Sequence, residues 1–251
     1  MKKEIGVLML LSAVLLSGCG PDDSGSAKRG AGESPNKQAT RQPEQETGEN
    51  TSWSSENSEV KITPVKENDT GGDEIVTVEA NGVKKEFNWR FSTINDPRVF
   101  YTDVTGDGKP EAVIILNIGK GTGLSIDELH VLSSEDLSEI KVQNYEEIVA
   151  DQIETHVAKN DDGTLAIKVK TQGKEYDFNR NIELPPNLKQ DELGFGGVVY
   201  YKLENQKITS RLGASVGISP QYVCDIHIVY RFDKEKNEFI ADQIKAVDVG
   251  E

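Results

Sequence analysis

The sequence Asp103-Val-Thr-Gly-Asp-Gly-Lys-Pro-Glu111 runs directly into Ala112-Val-Ile-Ile-Leu116. An uninterrupted apolar run of this kind predicts a strand buried on both faces, and so one in the interior of a sheet. The residues before it carry oxygen. Asp103, Thr105, Asp107 and Glu111 stand at loop positions 1, 3, 5 and 9, and Gly108 stands at position 6, where a chain turning sharply around a hard cation needs glycine. Three carboxylates, one hydroxyl and the Lys109 backbone carbonyl supply five protein groups, and water or bidentate carboxylates can complete the six to eight oxygens that calcium takes. An EF-hand would place a bidentate Glu at position 12 and a helix after it, whereas position 12 here is Ile114, inside the expected strand. The loop therefore joins two strands. The same residues also suit a metal-free turn in which the aspartates bond their own backbone.

With Asp103, Gly106, Asp107, Gly108 and Glu111 in place, the loop resembles the D-x-x-G-D-G-x-x-D/E loop of FG-GAP and VCBS-type repeats, best known from integrin-alpha-like β-propellers. That resemblance implies calcium ligation by the side chains of Asp103, Thr105, Asp107 and Glu111 and by the Lys109 carbonyl. Thr105 stands where the family more often has Asn or Asp, and Glu111 where it more often has Asp. A propeller needs several blades, and this chain has one such loop and no convincing internal repeat, so the loop carries over and the propeller does not.

At the start of the chain, Lys2 and Lys3 precede an apolar run from Ile5 to Leu16, followed by Ser17-Gly18-Cys19. At 1.5 Å per residue the run reaches about 18 Å against a hydrocarbon core of about 30 Å, which suits a cleaved signal rather than a permanent span. Leu16-Ser-Gly-Cys19 resembles the bacterial lipobox, and the resemblance implies a signal peptide over 1–18 and a diacylglyceryl group on Cys19. Two acyl chains at ~0.8 kcal/mol per buried methylene would hold the chain on the membrane. From Gly20 to about Gly71 the residues are mostly polar, with almost no aliphatic side chain before Val60. Such a segment buries too little apolar surface to offset its ordering entropy, so residues 19–71 read as the lipidated Cys and a disordered tether of roughly 40 Å r.m.s. reach. Trp53 reads as incidental to it.

Residues 72–251 remain for one β-rich globular domain. Asn81-Gly82 between Ile75–Ala80 and Val83–Phe91 predicts a type I′ hairpin. A short strand near Val99–Thr102, the strand 112–116 and one around Glu128–Leu132 follow. Asn144 caps a helix whose apolar positions are Tyr145, Ile148, Val149, Ile153 and Val157. A second hairpin turns at Gln172-Gly173, and strands follow near 198–203, 207–212, 222–232 and 239–247. In the longest of these, Tyr222, Cys224, Ile226, Ile228 and Tyr230 share the core face, while Asp225, His227 and Arg231 lie on the other. The expected class is α+β, predominantly antiparallel sheet with one or two packed helices.

The chain has 28 basic and 43 acidic residues and a formal net charge of −15, which argues against nucleic acid and anionic membrane surfaces as direct partners and permits divalent cations. Cys224 is the only cysteine besides Cys19, so the domain has no internal disulfide. Gly213-Ala-Ser215-Val-Gly217 matches G-x-S-x-G, but that elbow needs a strand before it and a helix after it, and Ile218-Ser-Pro220 and a strand follow here. Gly119–Gly123 lacks the spacing of a phosphate loop, and His130, His156 and His227 lack zinc spacing.

These features, with a polar tether and an acidic strand-rich remainder, resemble poorly characterised lipoproteins of Gram-positive bacteria. The expectation is a lipid-anchored extracytoplasmic binding or interaction module, possessing a calcium loop and taking an envelope protein or glycan as partner. On the membrane it would sit at the outer face, held through diacylglyceryl-Cys19. The alternative of another class is an envelope hydrolase, acting for example on glycans, with carboxylates converging from distant strands.

Overall fold

The structure is a computed structural model that describes residues 52–65, 75–90, 95–185 and 188–250, all within one compact unit, Gly48–Glu251. A second unit, Met1–Thr47, lies outside the described residues, and with it the expected signal peptide and the expected lipidation at Cys19.

Strand β6, Glu111–Gly121, organises the architecture. It pairs antiparallel with β5 (Arg98–Thr102) on one side and β7 (Leu124–Ser133) on the other. Its side chains alternate between two cores. Val113 and Ile115 pack into the larger, with Val131, Ile226 and Ile228. Ala112, Ile114 and Leu116 pack into the smaller, with Val76, Val78, Ala80 and Trp89. A strand whose two faces are both covered has no solvent side on which to place polar residues, which is why 112–116 is apolar throughout.

The smaller core belongs to an antiparallel four-stranded sheet of β1 (Trp53–Ser54), β2 (Val60–Val65), β3 (Ile75–Ala80) and β4 (Val83–Asn88). Asn81 and Gly82 turn between β3 and β4 with φ of 49° and 76°, the positive values a type I′ turn requires. The first two strands correct the sequence reading, which placed all of 19–71 in a disordered tether. Residues 52–65 are folded: Val60 and Ile62 are fully buried, and the Trp53 indole donates to Asp96 Oδ1 at 3.0 Å. Two alternating aliphatics suffice because the hairpin adds to a sheet that already has a hydrophobic face. Pro64 is tolerated because β1 pairs only with Lys61 and Ile62, leaving the outer side of β2 uncovered at that point.

The larger sheet continues from β7 to β8 (Glu139–Val142) and, in space, to β15 (Glu238–Val247), β14 (Gln221–Asp233), β13 (Lys207–Val216) and β12 (Gly194–Glu204). It then closes on itself, because Val198 and Val199 of β12 pair parallel with Ser125 and Ile126 of β7. β7 thus has β6 along one side, while its other side meets β12 at one end and β8 at the other. Closure leaves neither β12 nor β8 as an open edge.

A three-stranded sheet of β9 (Ile153–Lys159), β10 (Leu165–Thr171) and β11 (Lys174–Arg180) adds Val157, Leu165, Ile167 and Val169 to the larger core. The single helix among the described residues, α1 (Tyr145–Gln152), is eight residues long, with Asn144 Oδ1 accepting the Glu147 amide at 2.7 Å. The fold is therefore predominantly antiparallel sheet, as expected, and essentially all-β, with the helical part of the expected α+β class reduced to this one short helix among the described residues. The helical spacing expected through Val157 gives way at Ile153, where Ile153, Thr155 and Val157 also satisfy a period of two and pair with Thr171, Val169 and Ile167 of β10. The extended alternative pairs the segment with β10 along its whole length and places Val157 in the larger core.

Candidate metal centre

The β5–β6 hairpin closes at the pair Thr102 and Glu111, and residues 103–110 form its loop. Gly106 and Gly108 adopt φ of 74° and 89°, and this left-handed backbone aims their amides inward at one carboxylate. The Gly106 amide donates to Asp103 Oδ1 at 2.7 Å and the Gly108 amide to Oδ2 at 2.9 Å. The Lys109 amide donates to Asp107 Oδ1 at 2.8 Å. Glu111 sits beneath them, buried, where Oε2 accepts the Val104 amide at 2.9 Å and the Thr105 amide at 3.3 Å. Carboxylate oxygens of Asp103, Asp107 and Glu111 come within 4.8 Å of one another.

Burial pushes the Glu111 carboxyl above its ordinary pKa; the two amides oppose this, and the charges of Asp107 and Asp103 add to it. Asp103 is held below its ordinary value, because four backbone N–H groups together outweigh a desolvation effect of the opposite sign. The loop thus gathers three acidic groups around one point, where backbone amides and the Thr105 hydroxyl bond them. A set made of oxygen alone suits a hard cation such as calcium and not zinc, which takes sulfur and nitrogen. The carboxylates of Asp103, Asp107 and Glu111 would hold the ion. Of the other two expected ligands, Thr105 is buried with its hydroxyl 3.4 Å from Glu111 Oε1, and Lys109 would contribute its backbone carbonyl, which leaves its ammonium free to turn outward to Glu135 at 2.5 Å.

The chain matches no family model, no curated protein and no solved structure. Its sites are therefore argued from its own geometry.

Ser215 lies in β13, and its hydroxyl donates to the Gly194 carbonyl at 3.3 Å. The glycine that opens its G-x-S-x-G is a packing residue: a Cβ on Gly213 would stand 2.7 Å from the Tyr222 ring. Cys224 is fully buried, and burial pushes its thiol up to about 12. Thiolate is then scarce at neutral pH. Cys224 is expected to resist a thiol reagent in the native protein and to react once denaturant is added, read from the mass of the peptide that contains it. Fast native labelling would overturn its role as a packing residue.

Sequence reasoning missed one cluster. Along β7, residues 127–130 lie between the part paired to β12 and the part paired to β8, and a half-open cleft of about 880 Å³ lies there. His130 lies in it, its ring stacked on Trp89 at 3.8 Å and its Nδ1 2.8 Å from Glu139 Oε1. Its Nε2 is buried and 3.7 Å from Glu128 Oε1. The signal was Glu128-Leu-His130, an acid and a histidine two residues apart on a strand and hence on one face.

Proposed function

We propose that this chain is a lipid-anchored binding module of the cell envelope, held outside the membrane through a diacylglyceryl group on Cys19, with a calcium ion stiffening the β5–β6 loop. The observation that carries the calcium part is the convergence of Asp103, Asp107 and Glu111 within 4.8 Å. The anchor part rests on the sequence Leu16-Ser-Gly-Cys19. Binding rather than turnover is favoured because the Ser215 hydroxyl is bonded to the Gly194 carbonyl within its sheet and the Cys224 thiol is fully buried. An envelope hydrolase is the second reading, favoured by the carboxylates of Asp127, Glu128 and Glu139 around His130. Against it, His130 is pinned by Trp89 on its ring face and by Glu139 on Nδ1.

Calcium decides the metal part. A ligand that binds only the native state stabilises it by RT ln(1 + [L]/Kd), and an extracellular site of about 10⁻⁴ to 10⁻³ M would gain about 1 kcal/mol in millimolar calcium. A domain of this size should then melt about 2–4 °C higher in calcium than in chelator, with saturation. Asp107→Ala should abolish the shift and cost little in chelator, since the side chain is exposed. Magnesium should substitute poorly, because it demands a tighter octahedral shell. An unchanged melting temperature between chelator and 10 mM calcium would leave residues 103–111 as a turn.

A further inference from the structure

On a chain of net charge −15, one sheet face gathers four cationic side chains, of which Arg98, Lys202 and Arg211 are ion-paired to Asp127, Glu204 and Asp225 and Lys245 has no such pair among the described residues. Tyr200 of β12 pairs with Arg211 of β13, Arg211 with His227 of β14, and His227 with Lys245 of β15. Directly paired residues point to the same face, so these four side chains form one row across four strands. Lys202 lies two residues from Tyr200 on the same face, and Arg98 reaches over from β5. The Tyr200 ring has the Arg98 guanidinium 4.5 Å, the Lys202 ammonium 5.8 Å and the Arg211 guanidinium 6.0 Å from its centroid. Together this face lines a groove of about 610 Å³.

Arg211 and Lys245 each stand opposite His227 on a neighbouring strand, so a charged His227 would face a like charge on both sides. Cation–π contact with Tyr200 and ion pairs from Lys202 to Glu204 and from Arg211 to Asp225 account for one end. The other end is not accounted for. Lys245 has no ion-pair partner among the described residues, and His227 Nε2 is buried without a hydrogen-bond partner. Burial depresses the His227 pKa, and Lys245, Arg211 and Lys202 depress it further, with Asp225 the opposing charge. Burial first, and then the neighbouring cations, favour the neutral ring.

We propose that this groove binds an acidic glycan segment, an extended chain carrying carboxylate or phosphate groups. With strands about 4.8 Å apart, the row from Tyr200 to Lys245 spans about 14 Å, more than a single phosphate can engage and enough for two or three anionic groups in succession. Long-range repulsion from the acidic remainder disfavours a nucleic acid, whose phosphates extend far beyond the patch, while a short segment feels mainly the local cations. The choice of glycan among oligoanions rests on the extracytoplasmic reading above. Binding itself needs no anchor, so failure of one leaves the other standing.

The test titrates the mature protein with oligogalacturonate, with a phosphorylated mannan oligomer, with neutral dextran and with single-stranded DNA long enough to extend well beyond the patch, following heat and the His227 ring resonances. At least one acidic glycan probe should bind, more weakly as salt rises, and should raise the His227 titration midpoint by supplying Nε2 with an anion. Which of the two binds names the source of the charge. The pair Lys202→Gln and Lys245→Gln should weaken binding at least tenfold with the melting temperature held, since both side chains are exposed. Arg211 is left in place because its loss would strand the buried Asp225. Acidic probes that bind no better than dextran, affinity unchanged in the double variant, or DNA bound as tightly as the glycans would each overturn the proposal.

Discussion

Asp127→Ala is expected to cost about 3–5 kcal/mol, read as a lower midpoint in urea denaturation, because it breaks a buried ion pair from one side only. Asp127 lies on β7, buried beside the point where β12 joins and closes the sheet. One of its oxygens receives the Arg98 guanidinium at 2.5 Å and the Tyr201 amide at 3.2 Å, and the other receives the Asn117 amide at 3.1 Å. Four strands, β5, β6, β7 and β12, thus converge on one carboxylate. The alanine would take from a partly exposed arginine, the Tyr201 N–H and the Asn117 amide an acceptor that is itself buried. A domain stable by about 5–15 kcal/mol loses a large part of that margin. Asp127→Asn should cost less, since its oxygen can still accept the Tyr201 amide while the charge for Arg98 is gone. Equal midpoints for Asp127→Ala and the wild-type protein would mean that the closure holds without this network.

The parts of the fold legible in the sequence are those set by local chemistry. Asn81-Gly82 and Gln172-Gly173 both take positive φ, and each turns a hairpin where the dipeptide predicts one. The run 112–116 is covered on both faces, and the alternation in β14 puts Cys224, Ile226 and Ile228 in the core. What was not legible depends on partners distant in the chain. The parallel pairing of Val198 with Ser125 leaves no trace in either segment, because two residue pairs need no special composition. Val60 and Ile62 looked too few to order a polar stretch, since the hydrophobic face that receives them comes from β3 and β6.

The two sites divide in the same way. Asp103, Asp107 and Glu111 are close in sequence, and a nine-residue pattern is enough to bring their carboxylates together. Arg211, His227 and Lys245 are each ordinary on their own strands, and only the register of β13, β14 and β15 sets them abreast. His130 and Glu139 meet through the β7–β8 hairpin, whose loop holds Leu137 at a positive φ of 54° while burying its side chain. A residue type unfavoured in that conformation is retained there because its apolar contact completes the smaller core.

Replacing Cys19 by alanine is expected to abolish stable membrane attachment, the largest effect proposed for this chain. In the lipoprotein reading proposed above the thiol would accept the diacylglyceryl group, and no other side chain at Ser17-Gly18-Cys19 can form the thioether. Without it the lipoprotein signal peptidase has no modified substrate, so the precursor should persist or be cut elsewhere. The mature protein should pass from the detergent phase to the aqueous phase on phase separation, and incorporation of labelled palmitate should vanish. The physical basis is that two acyl chains, at ~0.8 kcal/mol for each buried methylene, contribute nearly all the membrane affinity. A surface of net charge −15 adds none on an anionic bilayer. Among the described residues no helix is long and apolar enough to cross a membrane and replace the anchor. Normally processed Cys19→Ala protein that still fractionates with detergent would defeat the lipoprotein reading. The carboxylate loop and the basic groove would then stand on their own tests.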